Sequence, residues 1–438
     1  MNRKLIYWSI TVALAGFLFG FDTVVISGAD KSLEALWSNG KIFHGFVVMA
    51  SALWGTVLGA IFGNLPTDLL GRKKTLIWIG VLYTISALGS ALASDPYVFA
   101  FFRLIGGLGV GASTIAAPAY ISEIAPAKNR GQLVALYQFN IVFGILIAFL
   151  SNFLLSNIPT DAWRWMLGVE AIPAIIYTLM VLGVPKSPRW LIVKQNDIKG
   201  AKSVLHRMDS SIDLDKEVEK ILATKKVDVG TKSIYAKKYR MPLILAFLIA
   251  FFNQFSGINA FLYYSPRIFE LAGLQESAAF LSSVGIGLVN LIFTLFGLFL
   301  IDRVGRRQLM YYGSFGYIVS LSLVALAFML NWQGIAIPIF LFLFIASHAI
   351  GQGAVIWVFI SEIFPTHLRA NGQAFGCGTH WVLAALIPAV TPFIFDRIGA
   401  APVFTFFAFM MVLQLLFVWK LMPETKGISL EELKLTSE

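Results

Sequence analysis

Charge and cysteine are what this 438-residue chain has least of: 13% of its residues are Asp, Glu, Lys or Arg, and cysteine occurs once, at Cys377. A soluble globular domain carries about 25% charged residues, and this deficit, with 58% hydrophobic residues and a mean hydropathy of +0.76, excludes one. A single cysteine excludes a disulfide framework and a thiolate metal site; inside an apolar run it reads as a small packing residue. The five histidines, His44, His206, His348, His367 and His380, show no ligand spacing that points to a metal. His206 and His367 are expected at the surface, and His348 as an interhelical hydrogen-bond partner rather than a proton carrier. The glycine-rich stretch Gly106-Gly107-Leu108-Gly109-Val110-Gly111 lies in an apolar run with no preceding strand, so it predicts close helix contacts, not a nucleotide loop. Nothing here points to an enzyme or a cofactor.

Long apolar runs are what the chain has instead. Windows of about 20 apolar residues recur about twelve times, near 5–28, 42–63, 75–94, 97–120, 132–156, 163–184, 241–272, 277–301, 308–330, 336–361, 372–396 and 401–421. Strands of a membrane barrel are about ten residues long and alternate in polarity, so these runs predict an all-α membrane protein of twelve transmembrane helices. The first run, behind Asn2-Arg3-Lys4, exceeds the 7 to 15 apolar residues of a secretory signal and is expected to be retained. The net charge of +10 reads as an orientation signal: with a cytoplasmic amino terminus, 28 of the 34 Lys and Arg fall inside, and Lys31, Lys41, Arg164, Arg267 and Arg397 fall outside. Both termini are thereby expected in the cytoplasm of a multi-pass cell-membrane protein whose surroundings are lipid, with no nucleic-acid partner. Trp8, Trp54, Trp78, Trp163, Trp165 and Trp419 are expected in the interfacial belts.

From Pro185 to Arg240 hydrophobicity collapses, and amphipathic patterning through Ile198–Leu205 and Val218–Ala223 predicts a cytoplasmic connector of short helices. The expected organisation is a six-helix bundle over 1–184, the connector over 185–240, a second bundle over 241–422 and a cytoplasmic tail over 423–438. The halves repeat one another. Asp68-Leu69-Leu70-Gly71-Arg72 recurs as Asp302-Arg303-Val304-Gly305-Arg306, Ser122-Glu123-Ile124-Ala125-Pro126 ending in Arg130 recurs as Ser361-Glu362-Ile363-Phe364-Pro365 ending in Arg369, and Pro185-Lys186-Ser187 recurs as Pro423-Glu424-Thr425. Positive-inside bias accounts for the bases but not for the acids. Asp68, Arg72, Glu123, Arg130, Asp302, Arg306, Glu362 and Arg369 are therefore expected to form ion pairs that open and close a cytoplasmic gate.

Asp22 is the one charge between Leu5 and Gly28. An ionisable group in a span costs a few kcal/mol or more unless it is paired, protonated or wetted, and marks ion pathways. It lies about seven residues, roughly 10 Å, from the outer end of its helix; Arg103 lies as far below Asp95-Pro96, and Glu170 as far below Trp163. The three share one depth. A carboxylate beside a fixed cation stays charged, whereas removing that cation in a dry site favours protonation. Asp22 exchanging Arg103 for a proton is the reading preferred over a permanent ion pair.

The chain resembles the sugar porter family of the major facilitator superfamily across nearly its whole length, most of all bacterial monosaccharide/proton symporters. The resemblance rests on Gly20-Phe21-Asp22 with Val25-Ile26-Ser27-Gly28, Arg103 with Gly106-Gly107, the two Asp-x-x-Gly-Arg turns, Ser187-Pro188-Arg189-Trp190-Leu191, Gln254-Phe255-Ser256-Gly257-Ile258-Asn259 and Pro423-Glu424-Thr425-Lys426-Gly427. It implies a major facilitator fold whose two bundles alternate access to a central sugar site, with Asp22, Arg103 and Glu170 as the proton-coupling set. Sugar-binding positions implied are Phe19, Gln138, Gln254, Asn259, Tyr263, Asn290, Trp357, His380 and Trp381, whose amides and aromatic faces suit hydroxyls and C–H faces. Gly257 predicts a break in the seventh span, so that half of it moves as an outer gate. Asn253, His380, Ala354 and Lys186 depart from the family pattern. The expectation is a monomeric proton-coupled pentose or hexose symporter; the alternatives are a passive uniporter, a transporter-like sensor, and a carrier of polyols or organic acids.

Overall fold

A chain in hydrocarbon must satisfy its backbone N–H and C=O groups internally, and the computed structural model does so with helices. It describes residues 3–37, 39–126, 129–209, 213–225, 233–332, 334–365 and 368–427. Among them eleven helices are long and apolar enough to cross a membrane, or twelve when a bent pair counts as one span. The spans are, in order, Arg3–Leu36, the bent pair, Arg72–Leu92, Pro96–Ile124, Arg130–Leu155, Ala162–Leu182, Lys237–Leu271, Glu276–Val304, Arg306–Met329, Ala336–Glu362, a helix Arg369–Ile398, and Ala400–Lys420.

Four spans are interrupted. The second enters as Lys41–Phe43, widens into a π-type stretch His44–Met49, and continues as Ser51–Phe62 after a 43° bend. The sixth divides into Ala162–Gly168 and Ala171–Leu182, with Glu170 at the division. The seventh divides as expected, Arg240–Phe255 ending before Gly257, whose φ of 81° only glycine adopts without strain, and Ile258–Leu271 beginning after it. The tenth divides at Gly351.

Lipid supplies little hydrophobic drive between helices, so close backbone approach holds them. The second and fourth spans meet through glycines on both sides: a Cβ on Gly107 would strike the Ala52 carbonyl, and one on Gly55 the Leu104 carbonyl. The glycine-rich stretch is thus the helix contact expected of it. Between the halves, the fifth span packs on the eighth, the second on the eleventh, and the first on Ile258–Leu271.

After the sixth span come three short helices, Pro188–Gln195, Ile198–Met208 and Leu214–Lys225. Asp197 caps the second by accepting the Gly200 N–H at 2.8 Å, and Ala201, Val204, Leu205 and Met208 turn its apolar face inward. His206 is exposed, as expected; His367 and the tail beyond residue 427 lie outside the described residues.

Two expectations need correction. Trp8 and Trp163 are not in an interfacial belt but buried: Trp163 packs against Trp37 and Phe99, and Trp8 lies under the Arg207 guanidinium of the connector. Trp78, Trp165 and Trp419 are exposed on the apolar surface. His348 makes an interhelical hydrogen bond with the Tyr317 hydroxyl at 2.5 Å.

Candidate functional site

The long first helix reaches both of the chain's central polar clusters. Asp22 and Arg103 are buried against each other, with Arg103 Nη1 2.5 Å from Asp22 Oδ1 and Nη2 donating to the Asp22 carbonyl oxygen at 3.0 Å. Glu170, 1% exposed, faces the pair within interaction range of both members. Two acids thus face one guanidinium, which can balance the charge of only one of them. Around them, the hydroxyls of Tyr83 and Ser86, Arg103 Nε and Glu170 Oε1 are buried without hydrogen-bond partners among the described residues. Buried polar atoms left unpaired cost about 1–3 kcal/mol each, so this cluster is polar beyond what packing requires.

The second cluster lies in the carboxy-terminal half around the break at Gly257. Gln254 donates to Asn253 Oδ1 at 2.9 Å and lies 3.2 Å from His380 Nδ1, while Asn259 donates to Gln254 Oε1 at 2.8 Å. His380 stands between two indoles, its ring centre 4.8 Å from that of Trp357 and 5.0 Å from that of Trp381. Trp381 in turn packs on Phe19 of the first span at 5.6 Å. Six of the nine sugar-site candidates therefore converge: Phe19, Gln254, Asn259, Trp357, His380 and Trp381. Gln138 is half-buried on the fifth span, and Asn290 is buried on the eighth beside Thr294; among the described residues neither hydrogen-bonds to this cluster. Tyr263 lies one helical turn beyond Asn259. It is buried within electrostatic range of Arg103 and Asp22 across the boundary between the halves.

The charged motifs build two matching nodes. Gly71 and Gly305, at φ of 85° and 108°, each open a helix so that the next arginine turns back. Arg72 then meets Asp68 and Glu123, both at 2.9 Å, and Arg306 meets Asp302 at 2.9 Å and Glu362 at 2.8 Å. The third repeat completes each node: Ser187 donates to Glu123 at 2.5 Å, Thr425 to Glu362 at 2.6 Å. Lys186 breaks the symmetry. Its counterpart Glu424 accepts the backbone N–H groups of Arg306 and Arg307, each at 3.0 Å, whereas Lys186 lies over the Trp190 ring. Both nodes fasten helices within one half. Arg369 Nε is buried without a partner among the described residues, and the Arg130 side chain lies outside them.

A third set of charges, at the face opposite the termini, was not anticipated as a unit. Among the described residues the ion pairs joining one half to the other all lie here: Arg267 with Asp30 at 2.6 Å and with Glu34 at 2.5 Å, and Lys31 with Glu270 at 2.7 Å. Lys41 joins Glu34 at 2.6 Å, and His44 Nε2 joins Asp30 Oδ1 at 2.7 Å. Charge distribution treated Lys31, Lys41 and Arg267 only as exterior cations; the signal available was Asp30 and Glu34, four residues apart and hence on one helix face.

Comparison with known proteins places the chain in a family. The profile of the family described as sugar (and other) transporter matches residues 8–436. The chain is 37% identical over 442 residues to the glucose transporter GlcP of Staphylococcus epidermidis, covering 99% of this chain and 97% of the relative. It is 35% identical over 439 residues to the arabinose-proton symporter of Bacillus subtilis, covering 97% and 93%. In three dimensions it is similar to the inward open conformation of the xylose transporter XylE from E. coli, with a TM-score of 0.88 at 31% identity, covering 99% of this chain and 100% of that one.

Proposed function

Because this chain belongs to the sugar transporter family and has its major facilitator fold, we propose that it is a proton-coupled monosaccharide symporter of the cell membrane. The observation that carries the proton is the buried set Asp22, Arg103 and Glu170, in which two acids compete for one cation. Losing Arg103 leaves a carboxylate in a dry site, where protonation is favoured. A helix shift that parts the pair therefore takes up a proton, and restoring it releases one. The relative named an arabinose-proton symporter supports this reading.

The sugar site is the cluster around Gln254, Asn259 and His380, walled by Trp357, Trp381 and Phe19, with Gln138 and Asn290 completing it from the fifth and eighth spans. Amides and imidazole exchange hydrogen bonds with hydroxyls, and indoles cover the C–H faces. The protein works as two bundles, 1–184 and 241–422, joined by the connector 185–240, with the termini and the charged nodes in the cytoplasm. Asp68, Arg72, Glu123 and Arg130, with Asp302, Arg306, Glu362 and Arg369, are the cytoplasmic gate: each node holds the helix ends of its own half square, so that the halves meet and part there as rigid bodies. The ion pairs that join the halves at the opposite face support a cytoplasm-facing state. The transporter is expected to act as a monomer in lipid.

The test is sugar-induced alkalinisation of an unbuffered medium outside proteoliposomes, run with a panel of pentoses and hexoses. Alkalinisation by a transported sugar is expected. Uptake without alkalinisation would identify a uniporter instead.

A further inference from the structure

The charge cluster at the face opposite the termini does more than hold the halves together. Asp30 is 1% exposed, and its two oxygens are held from two directions: Oδ1 by His44 of its own half, Oδ2 by Arg267 of the other. The groups around His44 are Asp30 and Glu34 on the first span, Lys41 on its own segment, and Arg267 with Tyr264 on the seventh. The fourth and eleventh spans meet this segment through Tyr97 against Phe43 and through the Ala389 carbonyl beside Gly45. With His44 neutral, the three carboxylates Asp30, Glu34 and Glu270 balance the three cations Lys31, Lys41 and Arg267.

We propose that His44, Asp30 and Arg267 form a proton-linked latch, in which protonation of His44 opens the outer face. The proposal rests on the alternating-access reading above. When the outer face opens, Arg267 and Glu270 leave with the seventh span, while Asp30, Glu34, Lys31, Lys41 and His44 remain together. Asp30 then has His44 as its one remaining close partner. An acid that loses one partner of its ion pair is destabilised when nothing replaces it. A protonated His44 replaces Arg267; a neutral one does not. In the closed state the same proton is superfluous, because Arg267 already balances Asp30 and repels a second cation. The proton therefore belongs to the open state, and by linkage acid on the outer face favours opening by up to about tenfold per pH unit for one proton.

The experiment places spin labels at Ser32→Cys and Ser277→Cys, both exposed and on opposite halves, in a Cys377→Ser background, and measures their distance distribution in lipid at about pH 5 and about pH 8, which bracket histidine titration. The longer-distance population is expected to grow severalfold on acidification. His44→Gln, which keeps a hydrogen bond to Asp30 but not the charge, is expected to stay closed at both values, and His44→Lys to stay open at both; either variant decides alone. The same acid response in His44→Gln as in the parent would overturn the latch. Added transported sugar serves as the control: distances that respond to sugar but not through His44 overturn the latch alone, and distances that respond to neither overturn alternating access as well.

Discussion

Replacing Asp22 by Asn tests the proton site most directly, because it mimics the protonated acid at nearly constant volume. Arg103 is 1% exposed and makes two contacts to this residue, one to the carboxylate at 2.5 Å and one to the backbone oxygen at 3.0 Å. Asn removes the charge from the first and leaves the second. Glu170 still faces the guanidinium, so the buried cation keeps one acid, and the loss is that of a hydrogen bond to a charged group, about 1.5–3 kcal/mol. Adding Glu170→Gln removes that remaining acid and exposes the full cost of an unpaired buried charge, about 3–5 kcal/mol. The single variant is thus expected to fold with a modestly lower melting temperature, and the double variant to lose more than the sum of the singles. An inward gradient of one pH unit is worth about 1.4 kcal/mol, a tenfold accumulation for one proton per sugar. In proteoliposomes the parent is expected to approach that ratio, and Asp22→Asn to stop at equal concentrations while retaining sugar counterflow. Accumulation above unity in Asp22→Asn would refute the proton assignment, and loss of counterflow together with accumulation would show a structural role instead.

Three further outcomes are expected. Glu362→Gln weakens the hold on Arg306 and Thr425, which reach the carboxylate at 2.8 and 2.6 Å; it is expected to lower stability by about 1–3 kcal/mol, read as a lower melting temperature, with Glu123→Gln behaving alike in the other half. His380→Gln exchanges an imidazole for an amide between Trp357 and Gln254 and is expected to shift competition between pentoses and hexoses by up to about tenfold, equivalent to 1.4 kcal/mol, with proton coupling intact. Gly257→Val forces a β-branched residue into a φ of 81° beside the Phe407 ring, costing about 1–2 kcal/mol; it is expected to slow counterflow, with a lower melting temperature as the check on packing.

The fold was legible because membrane helices announce themselves twice, by unbroken apolar length and by charged motifs at their ends. The repeat offset even paired Ser187 with Thr425, which turn out to serve the matching acids Glu123 and Glu362. Depth was legible too: Asp22, Arg103 and Glu170 share a level because each lies a countable number of residues from a helix end. Direction around a helix was not. Trp8 and Trp163 face inward although an interfacial tryptophan has the same neighbours in sequence. The first helix runs on to Leu36 because Asp30, Lys31 and Glu34 find partners at the opposite face; hydropathy alone ends the span near Gly28.

Helix direction also explains how one motion reaches several sites. Asn259, Tyr263 and Arg267 recur every four residues along Ile258–Leu271, the spacing of one helix face, with a kink at Tyr264 (φ −120°, ψ 19°) between the second and the third. Asn259 bonds to Gln254 of the amide cluster, Tyr263 lies within electrostatic range of the Asp22–Arg103 pair, and Arg267 holds Asp30 and Glu34. The first span answers with Phe19 against Trp381, Asp22 at Arg103 and Asp30 at Arg267, spaced by three and then eight residues. These two helices pack on each other across the boundary between the halves. Gly257 frees the seventh-span half-helix from the segment before it, so tilting that element loosens the sugar cluster, the surroundings of the acid pair and the outer ion pairs together. Coupling on this reading needs no relay through distant residues, because sugar, proton and gate are three contacts of one helix. Leu271→Ala, at an exposed position where this helix ends, should leave the sugar-to-proton ratio unchanged, whereas Tyr263→Phe should raise it without abolishing counterflow.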